Sequence, residues 1–510
     1  MSKSIIIAGA GIAGLSAGCY ARMNGYRTSI YEMHKIPGGL CTAWERKGYK
    51  WDISMHMLSA SAGCSPIHQM WEELGIPQKF SFHYHDHGSL IEKNDQRLLF
   101  TTNRKDLEDQ MLFISPEDSK LIKEFLDLIF GPDMMKAASL KAGESKNIFD
   151  RMKIIPAILP LMKYFIKYNN ISIQQFAAGF KNTFLQDAVR FFIDAPGWPM
   201  PDFPMIALAG FVKSGITEAG SPIGGSQQVV FHMADLFKEL GGEMNFNKKI
   251  SNLIIEKDRV KGIVLDDGTE HPADEVIWAG DGHNLIFNIL KGKYMDERIS
   301  RMYEEWEPVQ SMLHVMIGVN RDMSREPHSI VFESRQAVRI AGKNHHWINF
   351  LHHCFDKLRA PEGKSAVEVW YATDYDYWTN LYPDKKKYKA EKNRIASESI
   401  ALLDKRWPGF ASQVEVTDVA TPATYTRYTG NWNASPDGWY ITTKNMRSMD
   451  PVLKLPGLEG LHMAGQWTSP FTGTVIASLS GRQVIEVICR KDGVKFNTKT
   501  PEIAHSTVPV

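Results

Sequence analysis

The stretch Ile5-Ile6-Ile7-Ala8-Gly9-Ala10-Gly11-Ile12-Ala13-Gly14 decides the fold. Four consecutive apolar residues bounded by glycine read as a buried parallel strand, and the small residues after Gly11 read as a helix running to about Asn24 and ending at Gly25. In this order the glycines have separate tasks. Gly9 permits the tight turn, Gly11 lets backbone approach a pyrophosphate, and Gly14 lets the helix pack on the strand. Ile12 and Ala13 open the helix, whose N-terminal N–H groups face the phosphates. A second strand, Thr28 to Tyr31, ends in Glu32, about 20 residues on, where a carboxylate accepts hydrogen bonds from ribose hydroxyls and disfavours a 2′-phosphate.

Strand, turn, helix, strand and acid point to a dinucleotide, and the next 20 or so residues narrow the choice. Pro37-Gly38-Gly39-Leu40-Cys41-Thr42 adds a glycine pair just after Glu32, and Gly48-Tyr49-Lys50-Trp51-Asp52-Ile53-Ser54 comes soon after. Here the chain resembles the FAD-dependent amine oxidase and phytoene desaturase superfamily. The resemblance implies that Gly38, Gly39 and Leu40 lie against the flavin nucleotide and that the Trp51-Asp52 segment runs toward the isoalloxazine, with Asp52 structural. Ser54 stands where that family usually has glycine. Cys41 invites a redox reading, but no companion cysteine or basic setting supports it.

Two distant blocks extend the resemblance. Pro222-Ile223-Gly224-Gly225-Ser226 opens a helix with Val230, Ala234 and Phe237 on one face, stopped at Gly241-Gly242. A hairpin of Lys249 to Glu256 and Arg259 to Leu265 comes next, then a strand Glu275 to Ala279. The resemblance implies that the backbone at Ile250 contacts adenine. The last block, Leu461-His462-Met463-Ala464-Gly465-Gln466-Trp467 with Gly473-Thr474-Val475-Ile476-Ala477, looks like the closing FAD motif. It implies that Gly465 and Gln466 meet the pyrophosphate and ribityl chain, and that the helix starting near Thr474 and Val475 points its positive end at the flavin. Gln466, where many amine oxidases have Asp, tilts the resemblance toward the phytoene desaturase, carotenoid isomerase and retinol saturase branch.

The expected fold is therefore α/β: a discontinuous Rossmann-type FAD-binding domain (residues 1–90, 215–290 and 455–490) with an inserted mixed β-sheet plus helical substrate domain. Residues 91–214 form a helical cap, 291–454 a mixed sheet with extended candidates Met312 to Val319, Ile330 to Glu333, Trp347 to Leu351 and Ala366 to Tyr371, and 491–510 a polar tail. The expected partner is an apolar small-molecule substrate, an isoprenoid or carotenoid-like polyene that the resemblance links to desaturation, saturation or isomerisation. Two other readings stay open: an amine oxidase-like enzyme with Tyr428 and Trp439 or Tyr440 as an aromatic pair, and a flavin- or lipid-binding protein without turnover.

Composition narrows the classes further. Fifty-nine basic against 58 acidic side chains in 510 residues leave a charge of +1, so no overall field recruits nucleic acid. Five scattered cysteines fit reduced thiols and a cytoplasmic setting. No secretory leader and no apolar run of about 18 residues is visible. Arg151 to Tyr168 combines apolar side chains with Arg151, Lys153, Lys163 and Lys167. It suits either a peripheral element on the inner face of a membrane or a cap with a solvated basic face, with Pro156 and Pro160 weakening one continuous helix. The pairs His345-His346 and His352-His353 point to opposite strand faces, so no metal site is expected. His56, after the Trp51-Asp52 segment, is the nominee for handling a proton.

Overall fold

The computed structural model describes residues 3–448, 450–470 and 473–499, with the side chains of Ala137, Lys153 and Ile154 outside the description. The N-terminal stretch forms the strand Ser4–Ala8 and the helix Ile12–Met23, capped at Asn24 before Gly25. Ser4–Ala8 is the centre of a five-stranded sheet in the order Leu461–Met463, Glu275–Trp278, Ser4–Ala8, Arg27–Glu32, Glu243–Phe246, and every pairing is parallel. Strands far apart in sequence thus bring their carboxyl ends to one edge, where the crevice of an open α/β sheet lies.

Helices Ser226–Glu239 and Thr474–Lys491 pack on Ile12–Met23. Backbone meets backbone there because glycine permits it. A Cβ at Gly481 would collide with the Ala13 carbonyl and come within 2.8 Å of the Ala17 nitrogen, and Ser16 Oγ donates to the Ser478 carbonyl at 2.7 Å across the same contact. The antiparallel strands Ile250–Glu256 and Arg259–Leu265 meet at Lys257 and Asp258, whose φ of 48° and 57° give the double left-handed turn that suits a twisted hairpin.

A seven-stranded sheet forms the second layer, in the order Val414–Ala420, Met312–Val319, Ser365–Ala372, Lys343–His352, Ser329–Ile340, His87–Lys93, Gln96–Thr101. It is antiparallel except where Ser329–Ile340 pairs with His87–Lys93, so it is mixed. The four extended candidates of the sequence all fall in it. The boundary expected between 90 and 91 falls within strand His87–Lys93. Leu90 and Ile91 are both buried, one toward the sheet's own core and one toward the helical cap. This two-sided burial gives a short apolar run rather than an alternation, and the helical pattern downstream masks it.

The cap itself is helical, from Arg104–Ile114 to Thr183–Phe191. Arg151 to Tyr168 is interrupted at Pro160 but not at Pro156, which lies inside the first helix: helix Ile148–Ile158, a 3₁₀ turn Leu159–Leu161 with Pro160 in its first turn, and helix Met162–Tyr168. Among the described residues no helix is long and apolar enough to cross a membrane. Of the expected polar tail, Lys491 still belongs to the last helix, Asn497 bonds Asn24, and residues 500–510 lie outside the description.

Candidate functional site

A cavity of about 680 Å³ runs along the carboxyl edge of the parallel sheet. Its lining includes Glu32, Lys248, Ile250 and Asp266, the glycines Gly9, Gly11 and Gly465, and Cys41, Ser54, Asp437, Gly473 and Thr474. Twelve of the fourteen residues nominated for the cofactor line it: Gly9, Gly11, Ile12, Ala13, Glu32, Gly38, Gly39, Leu40, Ile250, Gly465, Gln466 and Thr474. Gly14 and Val475 do not line it. Gly14 sits behind the wall, where a Cβ would collide with the Gly9 carbonyl, and Val475 turns into the core with the helices.

The first and second glycine motifs are joined in space. Gly38 N–H donates to the Ala10 carbonyl at 2.9 Å and Gly38 bridges Gly11, while a Cβ at Gly39 would stand 3.4 Å from Gly11 Cα. At Gly11 itself a Cβ would meet nothing within 4 Å, so the space it opens is the cavity. Glu32 ties the turn together, since one carboxylate oxygen accepts the Ala10 N–H at 2.7 Å and the other the His34 N–H at 2.8 Å. Burial pushes the carboxyl's pKa up while these backbone bonds pull it back. The helices beginning at Ile12 and Thr474 both start from uncapped glycines, Gly11 and Gly473, at the cavity wall. Their free N–H groups and positive ends suit anionic groups there.

Behind the cavity, Asp52 is buried and accepts the N–H of Ser226 at 3.0 Å, closing the N-terminus of the third helix. It also pairs with Arg359, which binds Asp356 at 3.0 Å. Asp52 is structural in this arrangement, and the Arg359 guanidinium helps hold its carboxyl below the usual range against the opposing effect of burial. His56 does not line the cavity. Ser54 does, and the chain turns at Met55, with a left-handed φ of 60°, so that the His56 ring lies against Trp370 and His353.

Sequence reasoning missed Asp437. It lines the cavity, and burial pushes its carboxyl up to about 6. An Asp beside Pro and Gly reads as a turn in sequence, and only the cavity reveals it. Cys41 is buried and its thiol is pushed up to about 12 by burial, which leaves it unreactive. Of the expected aromatic pair Tyr428 lines the cavity, whereas Trp439, fully buried against Tyr303, Trp306 and Trp467, and Tyr440, buried with Met200 and Val309, do not. Of the histidine pairs, His352 turns to the Glu326 carbonyl and His353 to Glu368. The sequence reading weighed the adjacent histidines and found no fitting cysteine or acidic cluster near them, whereas the fold brings His353 and Glu368 to His56.

The model of the flavin-containing amine oxidoreductase family matches residues 12–484. The chain belongs to this family. The oxidoreductase is 23% identical to a chloroplastic prolycopene isomerase of Arabidopsis thaliana, over 98% of this chain and 84% of the relative. It is 21% identical to a neurosporene-forming phytoene desaturase of Rhodobacter capsulatus, over 96% and 94% of the two chains. Among solved structures, a putrescine oxidase variant superposes with a TM-score of 0.63 at 15% identity over 96% of this chain and 99% of that one. An oxidoreductase from Methanosarcina mazei gives 0.60 at 16% identity over 95% and 100%. These structures share the oxidoreductase's α/β fold, a parallel Rossmann-like sheet with a mixed second sheet.

Proposed function

We propose that the cavity holds FAD and that the enzyme acts on an apolar isoprenoid or carotenoid-like polyene. The observation that carries this reading is a cavity lined by three sequence blocks, from Glu32 to Gly473, in a chain related over nearly its full length to prolycopene isomerases and phytoene desaturases. The fit to the cofactor rests on the open space over Gly11 and on the side-chain amide nitrogen of cavity-lining Gln466, which is buried without a partner.

Glu32 and the backbone at Ile250 would hold the adenosine end. Gly11, Ile12, Ala13 and Gly465 would hold the pyrophosphate, with Gly9 shaping the turn. Gly38, Gly39, Leu40, Gln466 and Thr474 would hold the flavin end, and Gly14 and Val475 support them from the core. Bound FAD supplies hydride or electron transfer at N5. The protein's own share is to place an apolar chain there, exclude water and manage one proton. His56 lies off the cavity wall, and the proton role passes to Asp437. Its carboxyl oxygen on the cavity wall can give a proton below about pH 6 and take one above it. The exposed apolar residues of Arg151 to Tyr168 would rest on a membrane surface and receive the substrate from it.

The test is anaerobic mixing of the FAD-loaded enzyme with candidate polyenes, with product analysis. Conversion of a polyene to a desaturated, saturated or isomerised product supports the reading. If no polyene is converted but a polyamine or aromatic amine bleaches the flavin, the amine oxidase reading replaces it. A flavin inert to both classes leaves a binding protein without turnover.

A further inference from the structure

We propose that His56, His353 and Glu368 form a binding site for one divalent transition-metal cation, set between the cofactor cavity and the mixed sheet. Each residue offers one donor atom, and the three donors lie within 4.8 Å of one another. Ligands on one tetrahedral ion, each at about 2.1 Å, stand about 3.4 Å apart, so closure needs the donors to draw together by up to about 1.4 Å. Two imidazoles and one carboxylate suit zinc, iron, cobalt or nickel rather than calcium or magnesium.

Two further observations point to a missing cation. The first is charge. Glu368 is fully buried, and its direct partners are the neutral Trp370 indole N–H at 2.8 Å and the His353 ring at 3.0 Å. The nearby Arg359 is already shared between Asp52 and Asp356. Three carboxylates, Asp52, Asp356 and Glu368, share this interior with the Arg359 guanidinium and the Lys50 ammonium, which leaves one negative charge over where an unbalanced charge is costly. A cation held at Glu368 offsets it.

The second is unmet bonding capacity. Both ring nitrogens of His56 are buried without a partner. His314, 1% exposed, has an unpartnered Nδ1 standing 3.8 Å from the Glu368 carboxylate. Its other nitrogen meets the Tyr425 hydroxyl at 3.3 Å. The Trp370 bond turns one Glu368 oxygen away and leaves the other facing His353, the kind of support that orients a ligating carboxylate. The ion would pin the loop after Ser54, held in a left-handed turn at Met55, to the sheet.

The experiment uses the FAD-loaded full chain, stripped with a chelator and then titrated with Zn²⁺ and Co²⁺ by calorimetry, with metal content read by mass spectrometry. The expected result is one ion per chain, a raised Tm, and affinity lower by about 10-fold or more in His56→Ala and Glu368→Gln. His346→Ala, on an exposed ring of the same sheet, keeps full affinity. Because Glu368 is deeply buried, His56→Ala serves as the variant least burdened by folding. A folded, flavin-loaded wild type that takes up no stoichiometric metal overturns the proposal, as does uptake that both variants leave intact; the cluster is then a proton-sharing His–Glu pair. Either result is independent of whether the enzyme converts polyenes.

Discussion

Gly11 and Gly14 stand three residues apart and do opposite things. A Cβ at Gly11 points into open cavity, whereas one at Gly14 runs into the Gly9 carbonyl. Gly11→Val is therefore expected to yield a folded protein of near wild-type Tm that retains little FAD after gel filtration. Gly14→Ala is expected to lose about 1–3 kcal/mol of stability through overpacking, visible in chemical denaturation of the apoprotein. Equal effects of the two changes on Tm would contradict the division of labour. Asp437 supports a second prediction. If its ionised carboxylate takes the substrate proton, the rate rises with pH through about 6, and Asp437→Asn removes that limb and lowers kcat by about 100-fold or more. An unchanged pH profile in the variant would assign the proton elsewhere. Neither residue's role is legible in the same way: the glycine spacing announces itself in sequence, while Asp437 looks like any turn aspartate.

Among the elements, the broken helix pair of the cap is exceptional for what it leaves uncovered. Phe149 is 70% exposed, Leu159 67% and Ile166 76%, with Ile148, Met152, Ile155 and Met162 also open to solvent. Such a cluster exceeds the scattered exposed apolar residues of an ordinary surface. Arg151, Lys163 and Lys167 are exposed beside it, although Lys167 is paired with Glu124 at 2.9 Å. Co-sedimentation with anionic vesicles is the measurement. Replacing Phe149, Leu159 and Ile166 by Ser should weaken binding to any vesicle by roughly 10-fold or more, given about 0.8 kcal/mol for each buried methylene. Lys163→Gln with Lys167→Gln should weaken binding to anionic vesicles only, at about 1 kcal/mol per charge. The composition of this element was plain in the sequence, including the break at Pro160. Whether its apolar side stayed exposed or faced the protein's interior was not, because a helix that caps a cavity and one with an open apolar face have the same alternation.

At the scale of the whole molecule, buried histidines set the acid limit of stability. Burial lowers His56, His345 and His352 to about 4, and His85, His314 and His353 to about 3. His85 also stacks on His328 at 3.6 Å between ring centroids. These rings stay neutral in the fold and take up protons on unfolding. Their pKa is depressed in the native state, so stability is full above about pH 6.5 and falls as pH drops toward 4, by up to about 1.4 kcal/mol per pH unit for each such histidine. Denaturant titrations at pH 7.5, 6 and 5 check this, and a flat stability across that range would contradict it. No histidine motif foretold the effect, since His85, His328 and His353 come from three separate loops. By itself the sequence determined the cofactor class and the parallel sheet, because a dinucleotide-binding turn is made of neighbouring residues whose spacing is the chemistry. It also carried the extended segments of the second sheet, whose apolar runs are local. Only the tertiary structure decided that His87–Lys93 joins that sheet, that Asp437 enters the cavity while His56 turns away, and that Glu368 lies among imidazoles. Each of these depends on which distant segments share an interior, and burial, not local pattern, sets the chemistry of the groups enclosed there.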